Sequence, residues 1–76
     1  MYNSLSELIN IKMNTKNLDI EIQEYIGMIL EEACKEKKIN LNNEEFNNLV
    51  NEFKNKSENL KLSNEEIKSY FLKKIQ

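Results

Sequence analysis

The chain has 76 residues, 39% hydrophobic and 32% charged, with a single glycine, no proline and a formal charge of −2. That length supports one domain around one core, and the composition suits helices rather than disorder or loop-rich folds. Every positive residue is lysine, histidine is absent and Cys34 is the only cysteine, so histidine-based catalysis, an intrachain disulfide and a thiolate metal site are excluded; the small net charge points to no acidic or basic partner.

The expected fold is all-α: a single domain over residues 1–76, built as a compact bundle of four helices at about 4–13, 18–38, 43–54 and 64–75, with the second helix central. Ser4, with Glu7 three positions on, reads as a capping box, and Leu5, Leu8, Ile9 and Met13 follow at helical spacing. The polar run from Asn14 to Asn17 ends this short helix, and Asn17 is the expected cap of the next. In the second helix Leu18, Ile22, Tyr25, Ile26, Ile29 and Ala33 share a face, while Lys35, Lys37 and Lys38 load the C-terminal turn, where cations suit the macrodipole. A competing reading treats residues 18–22 as a half-buried strand, since Leu18, Ile20 and Ile22 alternate with Asp19 and Glu21. No second strand is in sight to pair with it.

The third and fourth helices open on related signals. Leu41-Asn42-Asn43-Glu44-Glu45-Phe46 and Leu62-Ser63-Asn64-Glu65-Glu66-Ile67 each hold an N-cap residue, a glutamate three positions later and flanking apolar residues able to form a hydrophobic staple. Phe46, Leu49, Val50 and Phe53 then form a one-sided stripe, as do Ile67, Tyr70, Phe71 and Ile75, with Leu72 directed off the latter. The two caps lie 21 residues apart. Two units are too few for a solenoid, so shared capping grammar explains the similarity. The short connection around Ile39-Asn40-Leu41 makes the second and third helices neighbours, and the polar stretch from Asn55 to Leu62 is read as a loop.

Adding Ile20, Gly27, Leu30 and Cys34 to the second helix widens its apolar arc to roughly 220° at 100° per residue, so it needs cover on two sides. Gly27 in mid-helix costs about 1 kcal/mol relative to alanine, which suggests a close backbone approach there. The other three helices can supply the cover; the alternative is a homodimer or a protein partner docked on the Ile20, Gly27 and Cys34 side. The candidate partner-binding residues are therefore Ile20, Gly27, Leu30, Cys34 and Leu72.

Chemistry is sparsely provided. The serines lack a base, no glycine-rich turn shapes an oxyanion hole or phosphate cradle, and the pairs Glu31/Glu32, Glu44/Glu45 and Glu65/Glu66 lack the Glu-x-x-His pattern of a helical di-metal site. No enzyme activity, cofactor or metal is expected. DNA recognition by the third or fourth helix would push Glu44/Glu45 or Glu65/Glu66 toward phosphate, and a ribbon of residues 18–22 would present Asp19 and Glu21. Nucleic acid is disfavoured accordingly. With no long apolar run and no leader-like N-terminus, neither membrane insertion nor secretion is expected, and a cytoplasmic location is the default.

The stretch from Glu24-Tyr25-Ile26 through Ile39-Asn40-Leu41-Asn42-Asn43-Glu44-Glu45-Phe46-Asn47-Asn48-Leu49 resembles the helix, Ile-x-Leu-Asn turn and following helix of phosphotransferase-system regulation domains. The resemblance implies a helical fold. The regulatory histidines of those domains have no counterpart here, so phosphotransfer control does not carry over. The leading expectation is a small non-enzymatic regulator, inhibitor or adaptor that binds another protein, from a phage or mobile element, where short helical proteins of this composition are common. The alternatives are a dimeric DNA-binding transcription regulator and a structural subunit of a larger assembly.

Overall fold

The computed structural model describes residues 4–12 and 16–75. Four α-helices follow in order: α1 (Leu5–Lys12), α2 (Leu18–Lys37), α3 (Asn43–Lys54) and α4 (Asn64–Lys74), with a 3-10 helix at Ser57–Lys61 between the last two. Among the described residues there is no strand, only an isolated antiparallel bridge between Ser4 and Ser63. Residues 18–22 are helical, which settles the strand alternative. The expected place of Met13 on the α1 stripe lies outside the described residues.

Helix α2 is the common wall. It packs against α1, α3 and α4, and buries Ile22, Tyr25, Ile26, Ile29, Leu30 and Ala33 among them. The rest of the core comes from Leu5 and Leu8 of α1, Val50 and Phe53 of α3, and Ile67, Phe71 and Ile75 at α4. Phe53 joins α3 to α4 through rings: its centroid lies 5.0 Å from that of Tyr70, edge-on, and 5.2 Å from that of Phe71. Such offset and edge contacts add to simple burial because the aromatic quadrupoles align favourably. The Tyr25 hydroxyl donates to Asn64 Oδ1 and so ties the middle of α2 to the first turn of α4.

The caps are unequal. At α4 the Ser63 hydroxyl accepts the Glu66 amide at 3.2 Å while the Glu66 carboxylate accepts the Ser63 amide at 3.0 Å, a complete capping box. At α3 the Asn42 side chain accepts the Glu45 amide at 2.8 Å, without the return bond. At α1 the Ser4 hydroxyl accepts the Glu7 amide at 3.2 Å. Asn17 stands at the N-cap of α2 but makes no side-chain cap bond, contrary to expectation. Its backbone, at φ −102° and ψ 18°, is not in the extended region from which a cap side chain reaches back to the first turn.

Two further features depart from the sequence reading. The stretch expected as a loop contains the 3-10 helix, where Asn59 is buried and donates from Nδ2 to the Phe53 carbonyl at 3.2 Å. The Phe53 carbonyl, one of the last of α3, thus accepts both this bond and the Lys56 amide at 3.3 Å. Helix α2 ends on Lys38 in the left-handed region, φ 57°, with the Ile39 amide donating to the Cys34 carbonyl at 2.9 Å and the Lys38 amide to that of Lys35 at 3.2 Å. This is a Schellman ending, built on a residue whose Cβ disfavours that conformation.

Two measurements check these caps. Lys38→Gly is expected to stabilise the fold by about 0.5–1 kcal/mol, since relief of left-handed strain exceeds the added chain entropy of glycine, and denaturant unfolding reads it directly. Glu66 titrates below its ordinary 4.5, because its carboxylate accepts first the Ser63 amide and then the Ser63 hydroxyl. A carboxyl lowered on folding stabilises the fold above its unfolded pKa, and that contribution fades as pH falls through the folded value. The loss of stability in Ser63→Ala should therefore be larger near pH 7 than at about pH 3, compared by thermal unfolding.

Candidate functional site

The side of α2 turned away from α1 and α4 is only partly covered. α3 lies against it, and the two helices leave a groove of about 550 Å³ lined by Ile20, Gln23, Glu24, Gly27, Met28 and Glu31 from α2 and Phe46, Asn47 and Val50 from α3. Ile20 is 56% exposed and Met28 38%. At the C-terminal end of α2 a second cleft of about 600 Å³ continues from the shared residues Glu31 and Phe46 toward Cys34, Lys35, Lys38 and Leu41. Helical spacing produces this strip: positions 20, 24, 27, 28, 31, 35 and 38 fall on one flank at 100° per residue, beside the buried stripe.

Phe46 sits at the junction of the two clefts. A β-carbon added at Gly27 would stand 3.3 Å from Phe46 Cε1 and 3.5 Å from Cζ. The close approach inferred from the mid-helix glycine is real, but a side chain makes it rather than a second backbone. The ring is half-buried, so part of its apolar surface still faces solvent.

The five sequence-based candidates divide. Ile20 is exposed and Gly27 forms the groove floor, while Cys34 borders the second cleft with 8% of its surface exposed. Leu30 is wholly buried within the chain and offers nothing to a partner. Leu72 is half-buried against the core and lies on α4, outside both clefts, so the structure does not join it to the others. The cover α2 requires over Leu30, Gly27 and Cys34 thus comes from its own chain. Met28 and Phe46 complete the face. Met28 follows Ile20 and Glu24 at i+4 steps, a signal obscured by its distance from the main stripe; Phe46 reads as pure core from periodicity alone.

The polar groups offer little reactivity. Burial, and secondarily the nearby Glu31 carboxylate, push the Cys34 thiol above its usual pKa of 9.0, so it stays protonated at neutral pH and is a poor nucleophile. Burial likewise raises Tyr25, opposed by its bond to Asn64 and helped by Glu7. Among the described residues no three acidic or cysteine side chains gather as metal ligands, and no helix is long and apolar enough to cross a membrane. Charge along the groove is graded, with Glu24 and Glu31 beside Ile20 and Met28, and Lys35 and Lys38 beyond them.

No protein family, known protein or solved structure matches this chain. The resemblance of residues 24–49 to phosphotransferase-system regulation domains is accordingly not accompanied by a family match.

Gly27→Ala tests the Phe46 contact. The half-exposed ring can yield by a few tenths of an ångström, so the helix-propensity gain should dominate and raise stability by about 0.5 kcal/mol, whereas Gly27→Leu should lower it by more than 1 kcal/mol, roughly the cost of overpacking. Equilibrium unfolding of the two variants separates these signs.

Proposed function

We propose that this protein is a small non-enzymatic regulator, inhibitor or adaptor, encoded by a phage or mobile element and acting inside the cell by binding another protein through the α2–α3 groove. The observation that carries the reading is the exposure of Ile20 and Met28 beside the Gly27–Phe46 contact. Among the described residues Ile20 and Met28 are, with Ile11, the exposed large apolar side chains, and two of these three line one groove. Covering what remains exposed of Ile20 and Met28 would contribute on the order of 1 kcal/mol each. The polar rim of Gln23, Glu24, Glu31 and Asn47 suits the edge of a protein interface.

Charge placement weighs against the DNA-binding alternative. Glu44, Glu45, Glu65 and Glu66 are all exposed at the N-termini of α3 and α4. Lys68 pairs with Glu36 at 3.4 Å and Lys74 with Glu52 at 3.3 Å, so two of the lysines that would meet phosphate already face carboxylates. A duplex would have to compete with those pairs and approach the exposed acids.

The test compares the wild type with Ile20→Asp/Met28→Asp as bait in native-host extract. Both positions are exposed, so the variant should unfold at nearly the wild-type temperature while losing more than about 90% of the captured partner, since a buried unpaired charge at each site costs several kcal/mol. Equal capture by both baits would remove the groove from consideration. Tight, steeply salt-dependent binding of duplex DNA would replace the reading altogether.

A further inference from the structure

The partner that this face fits on its own evidence is a second copy of the chain. We propose that two molecules pair across a two-fold axis with their α2 helices antiparallel, the groove flank of one against that of the other. The proposal rests on reading this groove as a protein-contact face, and it adds the identity of one occupant.

The argument is charge register. Along the exposed flank of α2 the order is Ile20, Glu24, Met28, Glu31, Lys35, Lys38. Lys35 follows Glu24 by 11 residues, which is three helical turns, so the two side chains project from the same flank about 16 Å apart. A two-fold axis level with the middle of that interval, between Ile29 and Leu30, sets Glu24 of each molecule opposite the partner's Lys35. The contact occurs twice, as an isologous interface requires. The same axis sets Met28 of each copy against the aliphatic stem of the partner's Glu31, which buries the apolar centre of the strip.

Other arrangements are penalised. Parallel helices in register bring Glu24 to the partner's Glu24 and Glu31 to the partner's Glu31. An antiparallel axis level with Gly27 and Met28 brings Glu24 to the partner's Glu31, acid against acid. An axis at Glu31 places that carboxylate on its own copy. Like charges facing one another exclude these registers; an axis level with Ala33 would pair Glu31 with Lys35, but the helices would then overlap only over residues 29–37 and leave Met28 uncovered, so the axis between Ile29 and Leu30 is preferred.

The helix macrodipole accounts for Lys35, which lies in the last turn, but not for the acids. It favours acids in the first turn and lysines in the last, yet Glu24 stands well inside α2 and Glu31 further still. Among the described residues neither Glu24 nor Lys35 has an ion-pair partner within the chain, and both are exposed. A strip of this size predicts a reversible dimer rather than an obligate one.

Light scattering and sedimentation equilibrium over a concentration series reaching about millimolar test it, with circular dichroism confirming the helical content of every variant. The wild type should dimerise, more weakly as salt rises. Glu24→Lys and Lys35→Glu should each weaken the dimer by about tenfold or more, because either change turns both cross-copy attractions into repulsions. The double variant Glu24→Lys/Lys35→Glu should recover to within about threefold of wild type, a rescue that no other register produces. A wild type that stays monomeric, single variants that pair as well as wild type, or a double variant no better than the singles would each overturn the proposal. If self-pairing fails while host-protein capture still depends on Ile20 and Met28, the groove is a contact face for a different protein; if both fail, the contact-face reading falls too.

Discussion

Burial of α2 around more than half its circumference is the constraint from which the other elements take their positions. Its buried residues run from Ile22 to Cys34 and, at 100° per residue, sweep about 200° of the helix. No single neighbour can cover that arc. α1, α3 and α4 therefore each take a share of it, and they meet one another chiefly at its edges, as α3 and α4 do through Phe53, Tyr70 and Phe71. The capping box of α4, the single cap bonds of α1 and α3 and the Tyr25–Asn64 bond then fix the angles at which the shorter helices arrive.

Much of this architecture is legible from periodicity and capping. The four helices, their approximate ends, the centrality of α2 and the full box at Ser63 all follow from local pattern, because local hydrogen bonding and one-sided burial determine them. What escapes is set by tertiary demands. The 3-10 turn at Ser57–Lys61 carries Asn59 inward to donate to the Phe53 carbonyl, and a polar, lysine-rich segment gives no periodic hint of that. Lys38 occupies a left-handed position that local rules reserve for glycine or asparagine; the two Schellman bonds and the docking of Ile39 on the core hold it there. Asn17 has the right chemistry for a cap and the wrong backbone conformation, which residue type alone cannot reveal.

The candidate face was half legible for a related reason. Pattern identifies α2 as too apolar to be covered from one side and marks Gly27 as a point of close approach. It does not say which residues of that wide arc the chain covers for itself. Leu30 and Gly27 are indistinguishable from a docking surface in sequence, and α3 decides the matter by laying Phe46 against Gly27. The residues left exposed, Ile20 and Met28, line the same groove as that ring.

Size explains why such a strip remains. With α1 only 8 residues long and α3 12, against 20 in α2, the covering helices cannot follow the central one along its whole length and around its whole arc. A chain this short leaves part of its most apolar helix at the surface or adds residues to hide it. Here the uncovered flank is not plain hydrophobic surface: charged residues are interleaved with Ile20 and Met28 at helical spacing, acids first and lysines after. Interleaving of this kind breaks up the exposed apolar area while giving the strip a direction, and direction is what a specific contact requires beyond burial alone. Gly27 belongs to the same compromise. It weakens α2 as a helix, and in return lets one aromatic ring close the α2–α3 contact while leaving part of that ring exposed in the groove.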